Sequence, residues 1–136
     1  MDEKHKQEMQ DLLNRSVQHI RQQGKPSLRH PDRPDDRQCV YRSPLGLSCA
    51  AAPFIVDYDA RMDDGDLAGS WSKSFTGNWE RHLDPLAVKH QNFVRKLQRC
   101  HDLAADDRSR FLERYEENIA DLAIEFGLDV PAAAAA

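Results

Sequence analysis

The apolar positions of this chain change period from block to block. Between Asp2 and Gln23, Met9, Leu12, Leu13, Val17 and Ile20 recur at intervals of three and four, which places them on one stripe of a helix. Gly24 and Pro26 end that pattern, since glycine accepts the left-handed conformation of a helix stop and proline cannot extend a helix. Residues 24–36 then carry three prolines among mixed charges and are expected to run extended over the surface, as a connector within one domain.

The next block, QCVYR-SPLG-LSCAA, sets two short runs of strand-type residues on either side of a strong turn signal. It predicts a β-hairpin in which Pro44 presets φ and Gly46 takes the left-handed position of a bulged loop. Tyr41 then faces Cys49, and Cys39, Tyr41, Cys49 and Ala51 share one face, with the two thiols diagonal and too far apart for a disulfide. An apolar run, AAPFIV, gives way to an acidic loop with Asp57, Asp63, Asp64 and Asp66. Trp71, Phe75, Trp79 and Leu83 follow every four residues, but Gly77 interrupts them and makes a continuous helix doubtful.

Two clearer helices close the chain. Asp84 and Pro85 supply a cap and a first-turn proline, after which Leu86, His90, Phe93, Val94, Leu97, His101 and Ala104 keep helical spacing. A second helix starts near Asp107, turns Phe111, Leu112, Tyr115, Ile119, Leu122, Ala123 and Phe126 inward, and stops at Gly127-Leu128. The short link between them predicts antiparallel packing. The expected fold is therefore α+β and mostly helical, a small β-hairpin packed against an N-terminal helix and a C-terminal antiparallel helix pair. Residues 1–130 form one domain and residues 131–136 a disordered Pro/Ala tail.

Composition narrows the classes. With 136 residues, 40% hydrophobic and 31% charged, the chain is long enough to bury a core and too polar for a membrane protein. A formal charge of -4 gives no global driving force for nucleic acid, so no direct nucleic-acid binding and no membrane association are expected. The polar N-terminus lacks the apolar core of a secretion signal, and three cysteines without a CxxC pair suit free thiols, so the expected location is the cytoplasm of a host cell.

Candidate chemistry is sparse. Cys49 with His101 has the residue types of a nucleophile and base, although Asp102 projects about 100° away from His101 on a helix and is not expected to hold its imidazole. Cys39, Cys49, Cys100 and His101 are zinc-type ligands at poor spacing. The aspartates around Met62 lack the residues of a calcium loop, and the basic strip Lys25, Arg29, His30, Arg33 and Arg37 is interleaved with aspartates. No catalytic residue, metal or cofactor is therefore assigned. Trp71, Phe75 and Trp79, flanked by flexible glycines and by the acidic rim of Asp63, Asp64 and Asp66, are the binding feature the chain offers to a partner.

With those residues in view, the segment from Cys39 to Met62 together with FVRKLQRCHD resembles small uncharacterised proteins of bacteriophages and prophages. Those proteins carry C-x-YR-x-P-x-G-x-x-C-A, an apolar run ending in aspartate, and a helix with Q-x-x-H-D. Cys39, Tyr41, Arg42, Pro44, Gly46, Cys49, Ala50, Asp57, Gln98, His101 and Asp102 match. Ala52 stands where the family usually has glycine, and Asp63-Asp64-Gly65 where it has methionine-glutamate-glycine. The resemblance implies a phage or mobile-element accessory protein and supplies no reaction. Three functions follow as expectations: a non-enzymatic protein that binds and blocks a host protein complex, a CRISPR–Cas defence inhibitor being the concrete version; a cysteine hydrolase or transferase using Cys49 and His101; and a virion or assembly component.

Overall fold

A computed structural model describes residues 2–33, 39–56 and 82–132 of the chain. Helix α1 spans Glu3–Gln23; its cap, Asp2, accepts from the His5 N–H at 2.8 Å, and Gly24 closes it at φ 72° with its N–H on the Ile20 carbonyl. The stripe Met9, Leu12, Leu13, Val17 and Ile20 is buried, as its spacing requires. Helix α2 is Pro85–Lys89, opened by Asp84 accepting from Leu86 N–H; α3 is Gln91–Ala104 and α4 is Phe111–Phe126. A 3-10 turn at Arg108–Arg110 leads into α4, and another at Ala52–Phe54 follows the loop after α1.

Contacts run in opposite order along α3 and α4: Phe93 meets Phe126, Lys96 meets Glu125, the Cys100 carbonyl meets Asn118, and His101 meets Phe111. The two helices are therefore antiparallel. With α1 across them they enclose one apolar core that also takes in Val40, Tyr41, Cys49, Ala50 and Phe54 from the segment between α1 and α2. Gly127 stops α4 in the left-handed conformation, and Leu128 N–H returns to the Ala123 carbonyl at 2.8 Å. Beyond it, the Pro131 and Ala132 carbonyls accept from Arg21 Nη1, while the same guanidinium grips Glu116 on both carboxylate oxygens. Among the described residues no helix is long and apolar enough to cross a membrane.

The expected β-hairpin is not formed. Among the described residues there is no strand, only the isolated bridges Leu28 to Cys39, Arg42 to Ser48 and Ile55 to Leu83. The chain does reverse at residues 43–47, with Ser43 N–H on the Leu47 carbonyl, but the reversal does not grow into a ladder. The reason lies in where its backbone groups find partners. Ser16 Oγ donates to the Ala50 carbonyl, Gln98 Oε1 accepts from Ala51 N–H, Gln23 binds both the N–H and the carbonyl of Ser48, and Ser43 Oγ accepts from its own turn. Helix side chains do the work of a neighbouring strand, and Val40 and Ala50 are as buried as Tyr41 and Cys49, so no solvent face alternates with a core face.

A second departure is the break between α2 and α3, where the spacing predicts one helix. His90 leaves helical geometry at φ -115° and ψ 43°, and its Nε2 lies 3.1 Å from Glu8 of α1, which also holds Lys89. The turn is drawn onto α1 by that carboxylate. Leu112, expected inward, is exposed on α4.

Candidate functional site

Five of the residues singled out by their pattern converge where α3 meets the irregular segment. Gln98, His101 and Asp102 lie within one turn of α3, Cys39 enters from the segment after the connector, and Ala51 lies two residues beyond Cys49. His101 is completely buried. Its Nε2 accepts from the backbone N–H of Ser27 at 3.1 Å, and its Nδ1 lies 2.9 Å from Asp102 Oδ1. A backbone N–H can only donate and an ionised carboxylate can only accept, so the two partners together fix the neutral tautomer that carries its proton on Nδ1.

Asp102 is the hub. The same Oδ1 accepts from Gln98 Nε2 at 2.8 Å, and the Cys39 thiol donates to the carboxylate. Gln98 thereby engages both ends of its amide, since its Oε1 takes the Ala51 N–H at 3.1 Å. The expectation that Asp102 cannot hold His101 is corrected here. Adjacent helix positions diverge at Cβ, but the carboxylate folds back along the helix surface toward Gln98, one turn earlier, and passes the imidazole on the way.

The ligand-type atoms of Cys39, His101 and Asp102 lie within 4.8 Å of one another, which invites a metal. The donor set does not fit one. A metal on Nδ1 would force the ring proton onto Nε2, where it would meet the N–H of Ser27, whereas a metal-bound histidine needs an acceptor at its second nitrogen. The thiol is also unsuited to nucleophile work: burial, and next the negative charge of Asp102, push Cys39 far above the usual thiol range. Burial likewise pushes Cys100 up to about 12, with Asp121 adding to it. Cys49 is fully buried, and both ring nitrogens of His101 are already engaged, leaving no lone pair to take a proton from it. All three cysteines are free thiols.

Tyr41 is buried and Arg42 is exposed at the reversal, bridged to Ser48. Asp57, the aromatic set Trp71, Phe75 and Trp79, and the acidic residues Asp63, Asp64 and Asp66 lie outside the described residues, as does Arg37 of the basic strip.

Two residues of α1 that pattern alone did not single out anchor the irregular segment at Ser48. Gln23, at the last position of α1, clasps the Ser48 backbone with Nε2 to the carbonyl at 2.9 Å and Oε1 to the N–H at 2.8 Å. His19, one turn earlier, places Nε2 3.0 Å from Ser48 Oγ and 3.3 Å from its carbonyl. Half-burial holds that imidazole below its ordinary value. The carbonyl can only accept and the hydroxyl oxygen can accept as well, so one Nε2–H serves both the backbone and the side chain of Ser48. His19 and Ser48 border an open hollow of about 400 Å3 walled by Arg15, Gln18 and Gln22. The only advance signal for these contacts was the polar i, i+4 pair His19 and Gln23 on the helix flank.

No family model, curated protein or solved structure matches the chain.

Proposed function

We propose that this chain is a non-enzymatic accessory protein of a phage or mobile element that binds a host protein complex and blocks it, a CRISPR–Cas defence complex being the concrete target class. The observation that carries the reading is the closed hydrogen-bond account around Asp102. Cys39, Gln98, His101 and Asp102 are four of the chemistry-capable residues of the resemblance motif, and they bond to one another and to the backbone of Ser27 and Ala51. Residues spent in this way hold a surface in place. They do not turn over a substrate.

The function then belongs to the outside of the domain. Trp71, Phe75 and Trp79 supply aromatic anchors, and Asp63, Asp64 and Asp66 an acidic rim suited to a basic partner surface. The cysteine hydrolase or transferase reading loses its base at His101, and the virion reading requires ordered open assemblies. The test is co-purification with tagged chain from a bacterial host lysate, followed by assay of the captured complex. A stoichiometric complex whose activity falls when pure chain is added is the expected result. Recovery of no stoichiometric partner, or of one that works equally well with the chain bound, overturns the reading.

A further inference from the structure

Between α3 and α4 an open groove of about 810 Å3 runs along the surface. Its walls differ in sign. Arg95, Lys96 and Arg99 stand on the α3 side, Asp121 and Glu125 on the α4 side. Apolar surface lies beside the charges: Leu103 at one end is 47% exposed, and Ile124 on the flank of α4 is 80% exposed.

The levels of the charges along the groove follow from contacts across it. Lys96 Nζ lies 2.6 Å from Glu125 Oε2, and Asn118 Nδ2 donates to the Cys100 carbonyl at 3.1 Å. Because the helices are antiparallel, one step forward on α3 matches one step back on α4. The two contacts place Arg99 level with residues 119–122, the turn that carries Asp121, and Arg95 level with residues 123–126, the turn that carries Glu125.

We infer that this face binds a second copy of the chain, with the two-fold axis running along the groove. Rotation about that axis sets α3 of one copy against α4 of the other at unchanged level. Arg99 then meets Asp121 of the second copy, and the reciprocal pair forms as well, as a closed two-fold interface requires. A two-fold axis across the helices would stack α3 on α3 and α4 on α4, cation on cation and carboxylate on carboxylate. Charge selects the first arrangement over the second. Lys96 keeps its partner Glu125 and its position over the Phe126 ring, 5.5 Å from the centroid, so its apolar stem is presented to the second copy. The interface closes on itself, so it yields a dimer and no filament, and it does not depend on the host-binding reading.

An interface led by solvent-facing charge pairs is weak and sensitive to salt. Sedimentation equilibrium of the full chain at low salt, up to about 0.5 mM, detects any Kd below about 1 mM. The wild type is expected to dimerise, with affinity falling at least about tenfold between low and high salt. R99E and D121R are each expected to be monomeric, because each places like charges opposite one another twice. An equimolar mixture of the R99E and D121R chains is expected to dimerise again, since both contacts of the mixed dimer are then complementary. Both side chains are exposed, and circular dichroism checks that the variants stay folded; should a reversal disturb the helices, Arg99→Gln and Asp121→Asn give the same test with a smaller loss. A wild type that stays monomeric overturns the inference, as do variants that dimerise unchanged or a mixture that fails to recover.

Discussion

The backbone N–H of Ser27 donates to Nε2 of His101 across 3.1 Å, tying the segment that follows α1 to the last turn of α3, 74 residues later in the chain. Both groups are completely buried. The bond also decides what His101 can do, because it holds the lone pair of one nitrogen while Asp102 holds the proton of the other.

His101→Ala leaves the Ser27 N–H without its acceptor, removes a donor from Asp102 and opens a cavity against Phe111, whose ring packs edge-on at 5.4 Å. A loss of about 3 kcal/mol in folding stability is expected from those effects together. Urea denaturation followed by circular dichroism measures it. A loss no larger than that of an exposed control such as His5→Ala would remove the histidine from the core.

Gln98→Leu keeps the volume and takes away both amide bonds, so Ala51 N–H is buried without an acceptor and Asp102 loses a donor. About 2 kcal/mol is expected. The same variant should speed hydrogen exchange at Ala51 more than at amides inside α1. Uniform acceleration would mean that the side chain merely packs.

Thiol reactivity separates a structural cluster from a nucleophile. With Cys39 and Cys100 pushed upward chiefly by burial, and Cys49 enclosed, iodoacetamide at neutral pH should label the native chain slowly and the denatured chain promptly at all three positions. One cysteine that reacts in the native state as fast as a free low-pKa thiol would restore the enzymatic reading.

The acid limb of stability should report Glu8. Lys89, and then His90, hold its carboxyl down from an ordinary value near 4.5 to about 2. A depressed carboxylate stabilises the fold fully above its unfolded value and loses that contribution as pH falls toward the folded one. Stability is therefore expected to decline between about 4.5 and 2, and Glu8→Gln should flatten that part of the profile. An unchanged profile would show that the pair of contacts contributes nothing in solution, as many exposed pairs do.

Much of the helical frame was legible because its signals are local. Gly24, Asp84 and Gly127 act on groups within a few residues, and the apolar stripe of α1 needs no knowledge of its neighbours. The hairpin was misread for the opposite reason. Its residue types describe a segment rich in buried apolar groups, and only the positions of Ser16, Gln23 and Gln98 on other elements decide that its backbone bonds to helix side chains. The break at His90 depends in the same way on Glu8, 82 residues away. At the site, the motif named Gln98, His101 and Asp102 without showing that they act on Asp102 as a hub. A helical wheel gives the direction of Cβ, and the fold-back of a carboxylate lies beyond it.

Trp71→Ala and Trp79→Ala test where a host partner touches. Either is expected to weaken binding of the captured complex by ~2 kcal/mol or more while thermal stability is kept, as for a central aromatic anchor. Binding and stability lost together would assign that tryptophan to the core.

The state of His101 tests the central claim most directly. A long-range proton–nitrogen correlation spectrum of the imidazoles at neutral pH distinguishes the two neutral tautomers and the imidazolium. The account predicts that His101 shows the Nδ1–H form, with Nε2 unprotonated against Ser27. A proton found on Nε2 would free Nδ1 for a thiol or a metal and would contradict the structural reading of the whole cluster.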